Sequence, residues 1–161
     1  MRVEAKPKEL GLVLPAEIRL PPGFRLTWRQ VRVIGTRAII AGHGPRAADG
    51  TPPGPGGKVG KDLTLEQGYA AAKSTALGVL GDLQRELGDL DRIVSWSRVF
   101  GMVNSAPGFF GQPMVIDGFT DLMVALYGED AATCPRAVAG MAELPGNSPV
   151  VIEGEVEIRP N

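Results

Sequence analysis

The sequence predicts one α+β domain in which two helices cover one face of a mixed β-sheet, a two-layer sandwich. Three observations predict it: a capped amphipathic helix follows Thr64, a second helical pattern ends at Gly128, and strand-like apolar segments lie before, between and after them. The chain of 161 residues has the usual size of one domain, and its 43% hydrophobic and 22% charged residues are typical of a folded globular protein.

The N-terminal region divides into an arm and the start of the domain. Residues 1–23 contain several prolines among scattered charges, which predicts an extended arm with at most a short turn. The domain itself is expected to comprise residues 24–161. Within it, Gln30–Ile34 alternates polar and apolar residues, Gly35-Thr36 has the composition of a turn, and Ala38–Ala41 is apolar, so we expect a β-hairpin here.

A long loop rich in Gly and Pro separates this hairpin from the first helix. Residues 42–62 hold too many of these residues for regular structure, and because long loops in compact domains are often functional, this one is a candidate cover for a site. Thr64 and Gln67 have the spacing of a capping box, and a helix should run from there to Gly88. Its apolar face is formed by Leu65, Tyr69, Ala72, Ala76, Leu80, Leu83 and Leu87, and its opposite face carries Lys73, Asp82, Gln84 and Glu86.

The rest of the chain completes a β-β-α-β-α-β-β order. Residues 93–103 form a buried strand candidate, and 116–126 share a helical face that ends at Gly128. Two last strand candidates follow at 137–143 and 150–158. Two helices cover only one face of such a sheet, so the other face must be buried by partner chains.

Composition excludes several classes of function. Seventeen Lys and Arg against eighteen Asp and Glu give a net charge of −1 without a basic cluster, so nucleic acid is not the expected partner. With Cys134 as the single cysteine, no intramolecular disulfide or thiolate metal cluster can form, which suits a reducing compartment, and we expect a cytoplasmic protein. No segment approaches the roughly 18 apolar residues of a membrane helix, so no membrane partner is expected.

Three local sequence patterns are only weak evidence for a phosphate-binding loop, a metal site or a nucleophile. Gly57-Lys58 and Gly60-Lys61 lack the spacing and the following Ser or Thr of a phosphate-binding loop. His43, the single histidine, cannot form a two-histidine metal site; such a residue in a loop is usually a polar surface group, with at most a minor part in proton transfer. A nucleophilic Cys134 would need His43 as its base, so we interpret the cysteine as a packed thiol. We therefore expect no metal site.

Two charged residues in the C-terminal third are more informative. Arg136 opens a predicted strand, where an arginine can hold a carboxylate with two parallel hydrogen bonds or form a surface salt bridge. Glu153 lies on the last strand, where an inward-facing carboxylate would be costly unless it had a function. Glu155 and Glu157 share its parity, so an acidic solvent face explains all three glutamates equally well.

Taken together, several segments resemble the reactive-intermediate deaminase family, also called Rid, YjgF or endoribonuclease L-PSP. The resemblance runs from about Trp28 to Ile158, and the middle of the chain is similar to a less-studied branch of the family. The segments are Trp28-x-Gln30 with Gly35 and Ile39-Ile40-Ala41-Gly42, then Val103-Asn104-Ser105-Ala106-Pro107 with Phe109 and Tyr127-Gly128, then Cys134-Pro135-Arg136 with Leu144-Pro145 and a closing acidic strand. Ala41 replaces a family serine, Val138 a frequent cysteine and Trp28 a frequent phenol.

This resemblance implies a homotrimer with a barrel core formed by the three sheets and with ligand clefts between neighbouring subunits. The implied reaction is hydrolysis of small 2-imino or enamino acids to 2-keto acids and ammonia, without a cofactor. Arg136 would grip the substrate carboxylate and Glu153 would orient the attacking water. The expected catalytic residues are thus Glu153 and Arg136, and the expected substrate-binding residues are Arg136, Gly42, Val138, Trp28, Ala41 and Asn104.

Two other functions remain open at this point. Because polar side chains of the family site are replaced here, a trimer that binds a small carboxylate or regulates a partner without catalysis is the main alternative. Endoribonuclease activity is attached to the family by name, but the near-neutral charge and the single histidine argue against it.

Overall fold

The computed structural model describes residues 3–160 and contains one five-stranded sheet with two long helices on one face. The sheet order is β1-β2-β5-β3-β4; β3 and β4 are parallel and the other neighbours are antiparallel. The predicted α+β class and element order are therefore confirmed. The strands are β1 (Val31–Ile34), β2 (Arg37–His43), β3 (Ile93–Asn104), β4 (Arg136–Met141) and β5 (Val150–Ile158), and the helices are α1 (Lys6–Glu9), α2 (Leu65–Leu87), α3 (Gln112–Tyr127) and α4 (Glu129–Ala132).

Local signals in the sequence determine where α2 begins and ends. The Gln67 amide donates to the Thr64 hydroxyl at 3.1 Å while the Thr64 amide donates to the Gln67 side chain at 2.8 Å, which completes the predicted capping box. At the other end Gly88 adopts a φ of 79°, the left-handed conformation that glycine tolerates best. The helix therefore covers the length that its apolar spacing predicts.

The hydrophobic core lies between the sheet and the two long helices. Trp96 of β3 packs edge-to-face on Phe119 of α3, with ring centroids 5.6 Å apart, and both side chains are almost fully buried. Burial of an aromatic side chain of this size stabilises the fold by about 1.5–3 kcal/mol. α2 and α3 cross closely at Gly118, where a Cβ atom would collide with the backbone carbonyl of Tyr69. Glycine is thus required for this helix contact.

The residues of β5 alternate between the two faces of the sheet. Val150, Ile152, Val156 and Ile158 are buried beneath the helices, whereas Glu153, Glu155 and Glu157 lie on the opposite side, which we call the open face. The shared parity of the three glutamates was therefore read correctly from the sequence.

The open face also carries apolar side chains and ion pairs. Phe100 and Met102 lie there, since they pair in register with Glu153 and Val151, and both are partly buried. Arg37 forms a salt bridge with Glu155 at 2.6 Å between Nε and Oε1. The described residues 3–160 leave this face without a covering layer, as the element order predicts.

The N-terminal arm is packed on the domain. It contains a 3-10 turn at Val3–Ala5 and the short helix α1, where the sequence predicted an extended arm with a short turn. Its later part pairs with the long loop: the Ala16 amide donates to the carbonyl of Ala48 at 2.9 Å, and the Arg19 amide donates to that of Gly50 at 3.0 Å. The arm and the loop therefore support each other.

Candidate functional site

Arg136 begins β4 and its guanidinium is held by α3. Nη2 lies 2.8 Å from Oδ1 of Asp117, Nη1 donates to the Thr120 hydroxyl at 3.0 Å, and the side chain is 24% exposed. Arg136 pairs in parallel register with Val99, a buried residue, so it lies on the helix-covered face of the sheet. The salt bridge that the sequence left open as an alternative exists within the chain, in a partly desolvated position.

Glu153 lies on the open face, with its side chain 40% exposed and Oε1 3.7 Å from Nη1 of Arg98. It pairs with Phe100 on β3, whereas Arg136 belongs to the edge strand beyond β3 and to the other face. Within one chain, the structure does not bring the two expected catalytic residues together.

Trp28 and Gly42 line a cavity at the opposite edge of the sheet. Its volume is about 400 Å³, and it lies between the arm, the end of β2, the Gly/Pro-rich loop and the turn around Pro145. Trp28 is 50% exposed and contacts Phe24 edge-to-face at 6.4 Å. Gly42 is required there, because a Cβ atom would lie 2.9 Å from a methyl group of Val151. The long loop thus forms a wall of a cavity that contains two of the expected binding residues.

A β-bulge determines how the end of β2 meets this cavity. Ile40 pairs with Gly154 and His43 pairs with Ile152, so β2 has one residue more than β5 over this stretch. The bulge is held by the His43 ring, whose Nδ1 lies 2.5 Å from the Ala41 carbonyl oxygen. Ala41, an expected binding residue, therefore has a carbonyl that is engaged inside the chain.

Beneath the bulge lies a polar cluster in which the side chains of His43, Arg46 and Asp82 are buried, while Arg85, one-third exposed, reaches Asp82 from the surface. Oδ2 of Asp82 lies 3.0 Å from His43 Nε2 and accepts from Arg46 Nη2 at 2.8 Å, while Oδ1 accepts from Arg85 Nη2 at 2.5 Å. Burial alone would raise the pKa of Asp82, but the hydrogen bonds from His43, Arg46 and Arg85 outweigh it and hold this pKa well below its usual range.

Two expectations about this cluster were wrong. His43 was interpreted as a surface residue and Asp82 was placed on the polar face of α2, but their side chains are 0% and 6% exposed. Both are covered because the loop after β2 folds over this part of the helix. Two glycines on α2 were the sequence signal that another segment packs closely on this side of the helix: Gly78 lies against Arg46, and Gly81 lies against Arg85.

Asn104 and Val138 have structural contacts within the chain. The Asn104 side chain is fully buried; its Oδ1 accepts from Lys58 Nζ at 2.9 Å, and its Nδ2 donates to Asn147 Oδ1 at 3.2 Å. Asn104 thereby joins the loop to the Pro145 turn. Sequence reasoning considered Lys58 only as part of a failed phosphate-binding motif. Val138 pairs with Gly101 and is partly buried against the core.

The remaining candidate groups offer no separate chemistry. Cys134 is partly buried, and this burial raises the pKa of its thiol, as expected of a packed cysteine. Among residues 3–160, no group of three or more His, Cys, Asp or Glu side chains is placed to hold a metal ion. Over the same described range, no helix combines the length and apolarity needed to cross a membrane.

Comparison with known proteins identifies the family. Residues 29–154 match the sequence model of a family described as YjgF/chorismate mutase-like, putative endoribonuclease. The chain belongs to the YjgF family. Over 102 residues it is 37% identical to Protein TCP17 of Trypanosoma cruzi, a match that covers 63% of this chain and 64% of that protein. The chain thus spans less than two thirds of that relative's length.

Two solved structures of similar proteins extend the YjgF-family match to nearly the whole chain. The Agrobacterium tumefaciens protein Atu1372, of unknown function, is 32% identical with a TM-score of 0.85, covering 98% of this chain and 94% of its own. A putative endoribonuclease from Shewanella oneidensis is 25% identical with a TM-score of 0.87, covering 98% of this chain and 100% of its own. Family membership and fold are therefore established together, while the names of these relatives leave the activity open.

Proposed function

We propose that this YjgF-family protein hydrolyses 2-imino acids to 2-keto acids and ammonia, at sites shared between neighbouring chains of a homotrimer. The observation that carries the proposal is the environment of Arg136. Its side chain is 24% exposed, with Nη1 held by Thr120 and Nη2 held by Asp117 and the Pro113 carbonyl, so the guanidinium has a defined orientation while its Nε–H and one Nη1–H stay available. Partial desolvation and fixed geometry both strengthen the binding of a carboxylate to arginine.

Glu153 supplies the second group that the reaction requires. An imine carbon is already electrophilic, so positioning a water and accepting its proton are the main tasks. Glu153 would take one proton from the water as the oxygen bonds to C2 of the substrate. The C2=N π electrons move to the nitrogen, which takes that proton from Glu153; the remaining hydroxyl proton is then transferred to the amino nitrogen as C2=O forms and the C2–N bond breaks, giving ammonia and a 2-keto acid. The carboxylate is 40% exposed, which leaves it accessible to water and substrate.

The positions of these residues support a shared site. Arg136 is on the edge strand β4 and on the helix-covered face, whereas Glu153 is on the open face of β5, next to β2. A substrate that contacts both groups would therefore have to lie between two chains. Burial of Phe100 and Met102 on the open face gives such an assembly an apolar driving force.

A mixing experiment tests this arrangement directly. Arg136→Ala and Glu153→Gln are each expected to lose nearly all imine hydrolysis, measured as keto-acid release from imino acids that an amino-acid oxidase generates. The two variants are then unfolded together in equal amounts and refolded as mixed trimers. About one site in four then combines an intact Arg136 from one chain with an intact Glu153 from its neighbour, so about a quarter of wild-type activity should return. The control is the Arg136→Ala/Glu153→Gln double variant mixed with either single variant, which cannot form an intact site. Failure of the two single variants to complement each other rejects the shared site, and full activity of either one alone rejects the catalytic assignment.

The same proteins address the two alternatives. For a carboxylate-binding protein without catalysis, 2-oxobutanoate should raise the melting temperature of the wild type but not of Arg136→Ala, with no turnover. Endoribonuclease activity needs an accessible acid and base, but the single histidine of the sequence, His43, is buried with both ring nitrogens engaged. This arrangement disfavours RNA cleavage through that residue.

A further inference from the structure

The cavity beside Gly42 has a size and lining that the hydrolysis of the smallest imino acids does not require. We infer that it receives the side chain of the substrate and that the protein prefers 2-imino acids with large apolar side chains, aromatic ones above all. This inference rests on the proposed function, because it takes Gly42 and Trp28 as parts of the substrate site.

The walls of the cavity are mainly apolar. Trp28 and Ile18 form the side towards the arm, Pro52 and Pro53 come from the long loop, and Val151 comes from the open face of β5. Trp28 is half-exposed, so one part of its ring system is free to stack on a ligand. Aromatic rings stack on one another in offset or edge-to-face geometry, with a gain beyond the buried area alone. An aromatic side chain fits this lining.

The polar side chains below the cavity form their hydrogen bonds within the chain and not towards the cavity. His43 and Arg46 contribute to the floor, but their side chains are 0% and 4% exposed. Arg46 donates to Asp82 and to the carbonyl oxygen of Ala16, and the His43 ring contacts Asp82 and Ala41. Both side chains are engaged inside the chain, so the floor does not select an acidic side chain.

Backbone hydrogen bonds give the cavity its shape before any ligand binds. The loop is joined to the arm through Ala48 and Gly50, and the Gly57 amide donates to the Asn147 carbonyl at 2.8 Å. Gly50 and Gly56 approach the backbone so closely that a Cβ atom at either position would collide with it. Prolines in the loop further limit its conformations. A preformed wall reduces the entropy lost on binding and so favours a ligand that fills it.

The volume indicates the size of the group that is selected. A cavity of about 400 Å³ lies within the range of roughly 300–1,000 Å³ that holds small organic ligands. The methyl group of an alanine-derived imine would leave most of it unfilled, whereas a benzyl or indolyl group would contact Trp28 and the prolines together. Each additional methylene in an apolar pocket changes kcat/KM by about tenfold or more. We therefore expect at least a tenfold preference for the phenylalanine-derived imine over the alanine-derived one.

Acrylamide quenching reports on the cavity separately from catalysis. The two tryptophans differ in exposure: Trp28 is 50% exposed and Trp96 only 4%. Quenching of the wild type should therefore come mostly from Trp28, and Trp28→Leu supplies the baseline. We expect 3-phenylpropanoate to protect the wild type from acrylamide, whereas propanoate at the same concentration gives no protection. Equal quenching with both probes would overturn the inference.

Kinetics of a cavity-filling variant complete the test. Val151→Phe should lower kcat/KM for the phenylalanine-derived imine at least tenfold more than kcat/KM for the alanine-derived imine; Val94→Phe, at an exposed position outside the cavity lining, is the control and should leave this ratio unchanged. Hydrolysis of both imines at similar kcat/KM by the wild type overturns the side-chain preference but leaves the proposed function standing. Protection by 3-phenylpropanoate without hydrolysis of any imine overturns the proposed function and the substrate role, while the cavity remains a binding site for aromatic carboxylates.

Discussion

Replacing Asp82 by asparagine removes the negative charge to which His43, Arg46 and Arg85 all donate hydrogen bonds. The side chain keeps its shape but loses its charge, and its NH2 group then faces other donors. Removal of one partner from a buried ion pair costs about 3–5 kcal/mol, because the remaining charge is left without compensation. For a domain of this size, that loss corresponds to a fall in melting temperature of roughly 6–20 °C.

Thermal unfolding at a fixed protein concentration, followed by circular dichroism, measures this effect. Glu143→Gln is the control, since it also removes one carboxylate from a cationic partner, Lys58, but that carboxylate is 85% exposed. Exposed pairs are weakened by solvent, so the control should unfold almost as the wild type does. Equal melting temperatures for Asp82→Asn and Glu143→Gln would refute the reasoning, because burial would then make no difference.

The acid limb of the stability curve provides a second measurement. The folded pKa of Asp82 lies below the unfolded value of about 3.9. Its stabilising contribution is therefore complete at neutral pH and declines as pH falls below that unfolded value towards the folded one. The stability gap between wild type and Asp82→Asn should narrow as the pH falls below about 4, and a gap that stays constant would contradict the assigned pKa direction.

Three further predictions concern other parts of the chain. Gly118→Ala should lower the unfolding free energy by about 1–3 kcal/mol in urea titrations, because its Cβ collides with the Tyr69 carbonyl. An unchanged urea midpoint would mean that α2 and α3 can move apart without loss of stability. Thr64→Ala should cost about 1 kcal/mol in the same titration through loss of the helix cap, while Thr64→Ser retains most of it. Asp117→Asn should weaken binding of 2-oxobutanoate two- to fivefold by calorimetry, about 0.5–1 kcal/mol, because Asp117 holds the Arg136 guanidinium in place; stronger binding would show that Asp117 competes with the ligand instead.

The order of elements could be predicted because its signals are local. The capping box at Thr64, the glycine after Leu87 and the two-residue turn of the hairpin each act over a few residues. The parity of Glu153 on β5 is equally local, so its face could be grouped with that of Glu155 without knowledge of the partner strands.

The site depends on contacts that no short segment contains. The face on which Arg136 lies follows from the parallel register between β4 and β3 and from the position of α3, both of which involve distant parts of the chain. The burial of Asp82 depends on a loop that begins about forty residues earlier and folds over α2. Helical periodicity alone assigned Asp82 to solvent, since it cannot register a cover supplied from elsewhere.

The contribution of the arm to the cavity affects how members of this family are compared. The matched family segment begins at residue 29, yet Ile18 and Trp28 form one side of the cavity and precede it. Two relatives that share the signature residues but differ in the residues before this segment could therefore bind different ligands. We therefore expect that exchanging the first 28 residues between relatives changes which ligands the cavity binds, since Ile18 and Trp28 are exchanged with them.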